Sequence, residues 1–339
     1  MGPSCFWARH VDDTAGSEGG REAMKTIVTT HPYGCPEVAP LEYLKSMGIE
    51  PTLNSVGRKY SKDELKDTLI KECPDIIIAG TEKYNADVLD LIPNLKMISR
   101  VGIGLDSVDL DECVKRNITV TYTPDAPSNA VAELTLCQML NMLRRVQVVS
   151  HCLKDGGWKR FIGRDIRDCN VGIIGVGRIG SLMIEKLQGM KPRRIFINDI
   201  VEERMHDRVR CESATKHQIL RGCDIVTIHI PLNAENLGYI SEKDFKLMKR
   251  DACIINMSRG GIINEEDLFA WLSNNPDASA AVDTYEEEPY KGSLVKLSNA
   301  YLTPHLGSCT RKSRFDMEMS AAEEVVNFTQ NKRFNNQVV

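Results

Sequence analysis

Short apolar runs alternate with amphipathic segments from Lys25 onward. The runs are almost wholly apolar, which is typical of strands buried on both faces of a parallel sheet. The segment at 61–72 opens with Ser61 and Glu64 at capping-box spacing, which predicts a helix start. The first part of the chain is therefore predicted to form a small α/β unit. Its strands are predicted at 25–30, 75–80, 95–104 and 118–124, and its helices at 38–48 and 61–72.

A single long helix is predicted from about Asn129 to about Lys154, because apolar residues recur there at helical spacing. At about 25 residues it exceeds the usual length of a globular helix. Such a helix can pack inside one domain or across a two-fold interface, and the pattern alone leaves both arrangements open.

A second alternation of strands and helices follows the long helix. Six strands with helical crossovers are what a doubly wound dinucleotide-binding sheet requires. The last helical segment, at 313–330, comes after the sixth strand, so we expect it to return to the first unit. The six strands are predicted at 170–177, 194–199, 224–231, 252–258, 278–285 and 300–303.

Composition and charge exclude several classes of partner. The 339 residues suit about two domains, and a net charge of −4 gives no electrostatic reason to expect nucleic acid or membrane binding. No apolar run approaches the roughly 20 residues that cross a bilayer. Residues 1–23 are rich in Gly, Ser and acidic residues and lack periodicity, so we predict a disordered leader there.

The cysteines bear on the cell compartment. There are 11 of them, an odd number, and they occur singly with no C-x-x-C pair. This distribution argues against a disulfide framework and against a zinc site. We therefore expect reduced thiols, a cytoplasmic location and no bound metal.

A glycine-rich turn carries the strongest single motif. Gly175, Gly177 and Gly180 stand in G-x-G-x-x-G order, between a predicted strand and a predicted helix. In this motif the first glycine permits a tight turn, the second lets backbone amides reach a pyrophosphate, and the third lets helix and strand pack closely. Asp199 ends the next strand, where a carboxylate accepts hydrogen bonds from ribose hydroxyls and repels a 2′-phosphate. The motif therefore predicts NAD as the cofactor, the alternative being a structural turn without a ligand.

Three polar groups follow three other strands of the same predicted sheet. Arg259 lies in 256–261, an acidic run lies in 282–289, and His305 follows Pro304. Ligands bind at the carboxyl edge of such sheets, so these groups are candidates for catalysis. Each has an ordinary explanation by itself, as a solvated charge or a structural histidine, but their arrival at one edge favours a shared site.

Five motifs together carry a family resemblance: RVGIGLDSVDL, GVGRIG, INMSRGGIINEEDL, VDTYEEEP and LTPHLGS. With them, the chain resembles the D-isomer-specific 2-hydroxyacid dehydrogenases, on the phosphoglycerate dehydrogenase-like side of that family, from about Met24 to its C-terminus. The resemblance implies two Rossmann-like α/β domains with parallel doubly wound sheets and an active-site cleft between them. It also implies a homodimer with the long helix near the interface.

The resemblance further implies a discontinuous domain arrangement. The substrate domain would be assembled from 24–122 and 306–339, and the NAD-binding domain would span 123–305. The implied activity is an NAD-dependent transfer of hydride between the nicotinamide and a D-2-hydroxyacid or its 2-oxo acid.

Residue roles carry over from the matching motifs. The family's arginine falls on Arg259, its glutamate, directly before a proline, on Glu288, and its histidine on His305. Asp283 would bind the carboxamide of the nicotinamide. The remaining cofactor contacts would come from Arg178, Ile179, Ile230, Pro231, Met257, Ser258 and Gly307.

The chemistry implied for these residues is a proton transfer beside an anchored carboxylate. Free imidazole titrates at about 6.5, so His305 suits a general acid–base, and Glu288 would fix its ring and tautomer. Arg259 would grip the substrate carboxylate and polarise the carbonyl. The same carboxylate would also meet backbone amides around Val101, Gly102 and Gly104 of the other domain.

The substrate is less closely defined than the reaction. Arg100 suggests a further anion on the substrate, such as a phosphate, and it matches an arginine of phosphoglycerate dehydrogenases. A second basic residue of those enzymes is replaced by Ala79, and Lys83 is the nearby alternative, beside Glu82. Formate dehydrogenases resemble the family but carry glutamine where Glu288 stands. An NAD(H)-sensing co-repressor without metabolic turnover, like the C-terminal-binding proteins, is the alternative function.

Overall fold

The computed structural model describes residues 24–206 and 208–339, so the predicted leader at 1–23 lies outside the described residues. A four-stranded sheet forms first along the chain, with all strands parallel and in sequence order. Its strands are β1 (Thr26–Val28), β2 (Ile76–Ala79), β3 (Met97–Arg100) and β4 (Thr119–Thr121).

Four helices connect these strands. Ser61 Oγ accepts a hydrogen bond from the Glu64 amide, and the Glu64 carboxylate accepts one from the Ser61 amide, so the predicted capping box is confirmed. The helices are α1 (Ala39–Ser46), α2 (Lys62–Glu72), α3 (Ala86–Leu89) and α4 (Leu110–Lys115).

The segment predicted as one long helix forms two, α5 (Ser128–Arg144) and α6 (Val146–Lys154). The prediction of a continuous helix is wrong at Arg145, whose φ of 48° lies in the left-handed region. That conformation cannot continue a right-handed helix, so the chain turns there. One face of α5 is buried, whereas α6 has no buried residue.

A seven-stranded sheet forms from the next part of the chain. Its strands are β5 (Asn170–Ile174), β6 (Arg194–Asn198), β7 (Cys211–Ser213), β8 (Ile225–Ile228), β9 (Cys253–Asn256), β10 (Ser279–Val282) and β11 (Ala300–Leu302). All are parallel, in the order β11-β10-β9-β8-β5-β6-β7. The order reverses between β5 and β8, which creates a crevice at their carboxyl ends.

Six of these seven strands are where the apolar runs predict them. The seventh, β7, escapes prediction because it is a three-residue polar strand, Cys-Glu-Ser, at the sheet's edge, with two of its residues exposed. Burial on both faces produces the apolar signal, and an edge strand of this length lacks it.

Both faces of the seven-stranded sheet are covered. Cys253 and Ile255 of β9 pack into one apolar cluster, and Ile254 packs into a second on the opposite face, as strand geometry requires. The covering elements include α5 and the helices α7 (Arg178–Met190), α8 (Lys216–Gly222), α9 (Glu242–Phe245) and α10 (Glu265–Asn274). Short 3₁₀ turns lie at Ile166–Asp168, Glu202–Arg204 and Ser293–Lys296.

The last helix, α11 (Arg311–Thr329), returns to the four-stranded sheet. Met317 and Val325 are buried in one apolar cluster with Val28 and Ile78 of that sheet. The predicted return of the C-terminal helix to the first unit is therefore confirmed.

Candidate active site

The glycine turn joins β5 to the start of α7. Gly175 has a φ of +94°, and a Cβ on Gly180 would overlap the carbonyl oxygen of Gly175. A Cβ on Gly177 would meet nothing within 4 Å. Gly175 and Gly180 are thus required by the turn and its packing. Gly177 instead leaves open space at the N-terminus of α7, which suits a pyrophosphate.

Asp199 follows β6 beside this turn. Its Oδ2 accepts a 2.6 Å hydrogen bond from the Val176 amide, and its Oδ1 accepts a 2.8 Å hydrogen bond from the Val201 amide. Arg204 Nη1 lies 3.5 Å from the same Oδ1. Asp199 therefore ties the end of β6 to the glycine turn, at the position from which such folds bind a ribose.

A cleft of about 880 Å³ lies between the carboxyl edges of the two sheets. The structure brings most of the predicted site residues to its wall: Arg100, Val101, Gly102, Gly104, Arg178, Ile179, Ile230, Pro231, Met257, Ser258, Arg259, Asp283, Glu288, His305 and Gly307. The glycines of the turn and Asp199 lie outside this set because they form the adjoining turn at the end of β5 and β6. Residues distant in sequence therefore meet at one place.

His305 and Glu288 form a pair on the cleft wall. The Nδ1 atom of His305 lies 3.0 Å from Oε1 and 3.1 Å from Oε2 of Glu288. Burial acts to raise the pKa of Glu288, but the hydrogen bond and charge of His305, the Tyr285 amide and the charge of Lys59 together hold that pKa below its ordinary value. In the part of the chain that the structure describes, no group bonds the other ring nitrogen, Nε2, so it faces the cleft free to bond a ligand.

The loop that carries His305 is held by a buried carboxylate. Asp283 Oδ1 accepts hydrogen bonds from the Leu306 amide at 2.7 Å and the Thr303 hydroxyl at 2.6 Å, and Oδ2 accepts one from the Gly307 amide at 2.8 Å. His305 itself has a φ of 54°, a conformation that costs energy in a residue other than glycine. Asp283, predicted as a cofactor ligand, therefore also fixes the conformation of the His305 loop.

Arg259 spans the cleft from the end of β9. Its Nε donates a 2.7 Å hydrogen bond to Asp106 Oδ1, and its Nη1 donates one of 2.7 Å to the Ser258 carbonyl. Burial opposes ionisation of Asp106, but the charge of Arg259 holds the pKa of that carboxyl below its ordinary value. Sequence analysis did not identify Asp106. The one sequence feature that points to Asp106 is its position in the motif RVGIGLDSVDL, shortly after the strand that ends at Arg100.

Arg100 ends β3 and is only 5% exposed. Its Nη1 donates to the Val101 carbonyl, whereas its Nε is buried with no partner among the described residues. Burial, and then the charge of Arg259, lowers the pKa of Arg100 to about 10, so the guanidinium stays charged at neutral pH. A buried guanidinium with unused bonding capacity on a cleft wall is suited to an anionic or polar ligand.

The three predicted backbone donors differ in availability. The Val101 amide donates to the Ala79 carbonyl at 2.9 Å, and the Gly102 amide donates to the Thr123 hydroxyl at 2.7 Å. The Gly104 amide has no partner within residues 24–206 and 208–339. In this conformation only Gly104, of the three, can offer its amide to a ligand.

A family model matches the part of the chain that carries the glycine turn and the cleft residues Arg259, Glu288 and His305. The model of the NAD-binding domain of D-isomer-specific 2-hydroxyacid dehydrogenases matches residues 136–307, about half of the chain, including the glycine turn and His305. The chain belongs to the D-isomer-specific 2-hydroxyacid dehydrogenase family. The predicted family and α/β fold are thus confirmed, and so is NAD as the cofactor.

Curated relatives of this chain carry two activities in their names. A D-3-phosphoglycerate dehydrogenase from Archaeoglobus fulgidus is 29% identical over 85% of this chain and 54% of its own length. A glyoxylate reductase from Thermococcus litoralis is 31% identical over 76% of this chain and 81% of its own length. The chain thus spans about half the length of the first relative. One of these relatives is named a dehydrogenase and the other a reductase, and neither name supports the co-repressor alternative.

Solved structures agree with the two-sheet architecture. The TT0316 protein from Thermus thermophilus matches with a TM-score of 0.82 and 28% identity, over 93% of this chain and 100% of that chain. A 3-phosphoglycerate dehydrogenase from Entamoeba histolytica with bound NAD⁺ matches with a TM-score of 0.77 and 25% identity, over 94% of this chain and 99% of that chain.

The part of the cleft formed by the four-stranded sheet departs from the sequence prediction at Lys83. The structure places Lys83 on the exposed surface and outside the cleft wall, whereas the adjacent Glu82 is on the wall and 4% exposed. Lys59 also lines the cleft. Sequence analysis missed it, because it lies in a loop before α2 and belongs to no motif.

The described residues also bear on metal ions, membranes and disulfides. No group of three or more His, Cys, Asp or Glu side chains there could hold a metal ion. No helix there has the length and apolar character needed to cross a bilayer. Every described cysteine is free.

Proposed function

We propose that this family member interconverts 2-oxo acids and D-2-hydroxyacids with NAD as the cofactor. The observation that carries the proposal is the meeting of Arg259, Glu288 and His305 in one cleft beside the glycine turn. An imidazole paired with a carboxylate can move a proton at a carbonyl oxygen, while a guanidinium holds the neighbouring carboxylate. These are the protein groups that such a reaction requires.

NAD, when bound, would accept or donate the hydride at its nicotinamide ring. The backbone at Gly177 would hold the pyrophosphate, because the turn leaves space there, and Asp199 would bind the ribose. The rest of the cofactor would meet Arg178, Ile179, Ile230, Pro231, Met257, Ser258, Asp283 and Gly307.

Arg259 would hold the carboxylate that all substrates share. Asp106 orients the guanidinium through Nε, and Nη2 lies against Gly104. Because the Gly104 amide is unpaired among the described residues, one carboxylate can bridge that amide and Arg259 across the cleft.

His305 would move the proton. Its Nδ1 is bonded to Glu288, so Nε2 is the nitrogen that would give a proton to the carbonyl oxygen in reduction and take one from the hydroxyl in oxidation. Glu288 would stabilise the imidazolium and keep the ring in one orientation, which fits the lowered pKa of its carboxyl group.

Two observations support a small 2-oxo acid with a polar tail. The relative named glyoxylate reductase favours a short acid. Arg100, a guanidinium on the cleft wall, favours a tail that carries a further anionic or polar group, as does the relative named D-3-phosphoglycerate dehydrogenase. A phosphorylated three-carbon acid is therefore one member of the proposed substrate class.

We also propose a homodimer built on α6 and the segment after it. The exposed apolar side chains there are Val146, Leu153, Trp158, Phe161 and Ile162, of which Trp158 and Ile162 are 85% and 96% exposed. A run of this kind is typical of a protein interface. Sedimentation velocity should give a dimer, and Trp158→Asp with Ile162→Asp should give a monomer. A monomeric unmodified chain would contradict the proposal.

The domain division and location are proposals of the same kind. Residues 24–122 with 306–339 would form the substrate domain and 123–305 the NAD-binding domain, which the packing of α11 on the four-stranded sheet supports. The free cysteines support a reducing compartment such as the cytoplasm.

NADH consumption with a panel of 2-oxo acids tests the proposed activity. Glyoxylate has no tail, whereas hydroxypyruvate has a hydroxylated tail and phosphohydroxypyruvate a phosphorylated one. Turnover of at least one acid is expected. Intact NADH binding with no turnover of any acid would overturn the proposal and favour a binding protein.

A further inference from the structure

The chain crosses from the four-stranded sheet to the seven-stranded sheet through a crossing segment, residues 122–127, between the end of β4 and the start of α5. Two side chains of this crossing segment make contacts in opposite directions. Thr123 contacts the loop at 101–104, where the substrate carboxylate is proposed to bind. Asp125 contacts Arg178, the first residue after the glycine turn. The crossing segment therefore touches both ligand sites.

Thr123 holds the loop at 101–104 by two hydrogen bonds. Its hydroxyl accepts a 2.7 Å hydrogen bond from the Gly102 amide, and its own amide donates a 3.1 Å hydrogen bond to the Gly102 carbonyl. Thr123 is only 2% exposed, so these bonds lie where little water competes with them. Gly102 has a φ of +143°, a conformation that residues other than glycine rarely adopt. Thr123 thus fixes the part of the loop that carries the Gly104 amide.

Asp125 holds Arg178 at the other end of the crossing segment. Its Oδ1 accepts a 2.7 Å hydrogen bond from Arg178 Nε. The side chains of Asp125 and Arg178 are 81% and 51% exposed, and an exposed ion pair of this kind adds little to the stability of the fold. A guanidinium has five N–H donors, so Arg178 can keep Nε on Asp125 while its terminal nitrogens bond a phosphate. A bound pyrophosphate would thus hold this contact more rigidly.

We propose that Thr123 and Asp125 are positioning residues that couple the cofactor site to the substrate site. A pyrophosphate that bonds Arg178 fixes Asp125, and the ordered crossing segment fixes the loop at 101–104 through Thr123. The substrate then meets a loop that is already ordered, so less conformational entropy is lost on binding. Because such coupling is reciprocal, NADH and the 2-oxo acid should each tighten the binding of the other. The proposal rests on the proposed function, because it requires that this loop bind a carboxylate.

Fluorescence titration of NADH, with and without an unreactive substrate analogue, measures the coupling directly. Oxamate and oxalate are such analogues of 2-oxo acids, and the one that inhibits turnover more strongly serves as the probe. The coupling factor is the NADH dissociation constant without the analogue divided by that with saturating analogue. In the unmodified enzyme we expect a factor of about 5 to 150, the usual range for coupled sites.

Variants of the crossing segment assign the coupling to its two side chains. Thr123→Val keeps the shape but removes the hydroxyl, and Asp125→Asn removes the charge that holds Arg178. Either change should bring the factor close to 1, while the NADH dissociation constant without the analogue should change by less than about 5-fold. Thr123→Ser keeps the hydroxyl and should retain the coupling. Asp90→Asn, which removes the carboxylate of another surface ion pair, with Arg116, is the matched control.

The outcomes separate this inference from the proposed function. A factor near 1 in the unmodified enzyme would overturn the coupling and leave the dehydrogenase activity standing, as would turnover that neither analogue inhibits. An unchanged factor in Thr123→Val and Asp125→Asn would also overturn the coupling. If Thr123→Val unfolds at a lower temperature, Asp125→Asn decides alone, because its exposed ion pair adds little stability. No turnover of any 2-oxo acid and no binding of either analogue would overturn both proposals.

Discussion

The carboxyl edges of the seven-stranded sheet (the first edge) and the four-stranded sheet (the second edge) both face the cleft, and they are built differently. At the seven-stranded sheet, Gly175 and Gly180 leave no room for side chains, and Asp199 is bonded to backbone amides of the turn and the loop beyond it. At the four-stranded sheet, Glu82 and Arg100 are buried charges without ion pairs in the described chain. The first edge is thus held together by close backbone packing and hydrogen bonds to backbone amides, whereas the second holds two buried charges.

This difference matches the two kinds of ligand. Dinucleotides all share a pyrophosphate, whereas substrates differ in the chemical groups of their tails. Every dinucleotide presents a pyrophosphate, so backbone geometry at a helix start is enough to hold it. Substrate tails differ in their chemical groups, and specificity for such groups needs side chains that reject the wrong ones. We expect substitutions at the first edge to change folding and cofactor binding, and those at the second to change the choice of substrate.

His305 lies where the two edges meet, and its loss should have the largest effect. His305→Ala should lower kcat by about 10² or more, the usual range for a lost general acid–base. NADH affinity should be kept, because the glycine turn is untouched. His305→Asn, which tolerates a left-handed φ, separates the lost proton transfer from any backbone effect. Steady-state kinetics and NADH titration provide the measurement, and a near-normal kcat in both variants would remove His305 from the reaction.

Arg259 connects the edges, and Arg259→Lys tests that contact. Lysine keeps the charge but loses the planar fork, so kcat/KM should fall by roughly 10-fold to 100-fold for every acid. The fall should be uniform because all substrates share one carboxylate. Arg58→Lys, at an exposed ion pair with Glu64, is the control and should have no effect. A loss confined to acids with long tails would contradict the role of Arg259.

Gly180→Ala tests whether packing fixes the first edge. The new Cβ would overlap the Gly175 carbonyl oxygen, so stability should fall by about 1–3 kcal/mol and NADH binding should weaken. Gly189→Ala in the same helix meets nothing within 4 Å and should not destabilise the fold. Gly177→Ala should fold normally but bind NADH less tightly. Equal thermal unfolding of the Gly180 and Gly189 variants would show that packing does not set this edge.

His229, also on the first edge, should have the smallest effect at neutral pH and should matter only in acid. Burial lowers its pKa to about 3, so the folded protein keeps the imidazole neutral. Below about pH 6.5 the unfolded chain binds a proton that the folded chain does not, so stability should fall by up to about 1.4 kcal/mol per pH unit. His229→Gln should make the loss of stability with falling pH less steep, whereas the exposed control His217→Gln should leave that slope unchanged. Equilibrium unfolding between pH 4 and pH 7 measures the slopes, and identical slopes would contradict a buried neutral His229.

The fold was predictable where burial shapes the sequence. Strands buried on both faces produce apolar runs, which is why ten of the eleven strands lie where those runs predict them. The break at Arg145 was not predictable, because local spacing is helical on both sides of it. Its side chain instead bonds Asp277 at 3.3 Å, a residue far along the chain. A long-range contact of this kind leaves no periodic signal in the sequence.

The candidate site was predictable where a residue directly follows a strand. Arg259 and His305 reach the cleft because the carboxyl ends of parallel strands meet at one edge. Prediction of this kind fails at Glu82 and Lys83. The two residues are adjacent in one loop, yet Glu82 lies on the cleft wall and Lys83 lies on the exposed surface. Loop conformation decides which one faces a ligand, and hydrophobic periodicity does not encode it.

The central claim is that this cleft passes a hydride to C2 of a 2-oxo acid while His305 supplies the proton. The most direct measurement is the reduction of hydroxypyruvate with NADH deuterated at the nicotinamide C4, followed by analysis of the product. The account predicts deuterium at C2 of a D-2-hydroxyacid, with formation strongly slowed in His305→Asn. A product without deuterium at C2, or with the L configuration, would contradict it.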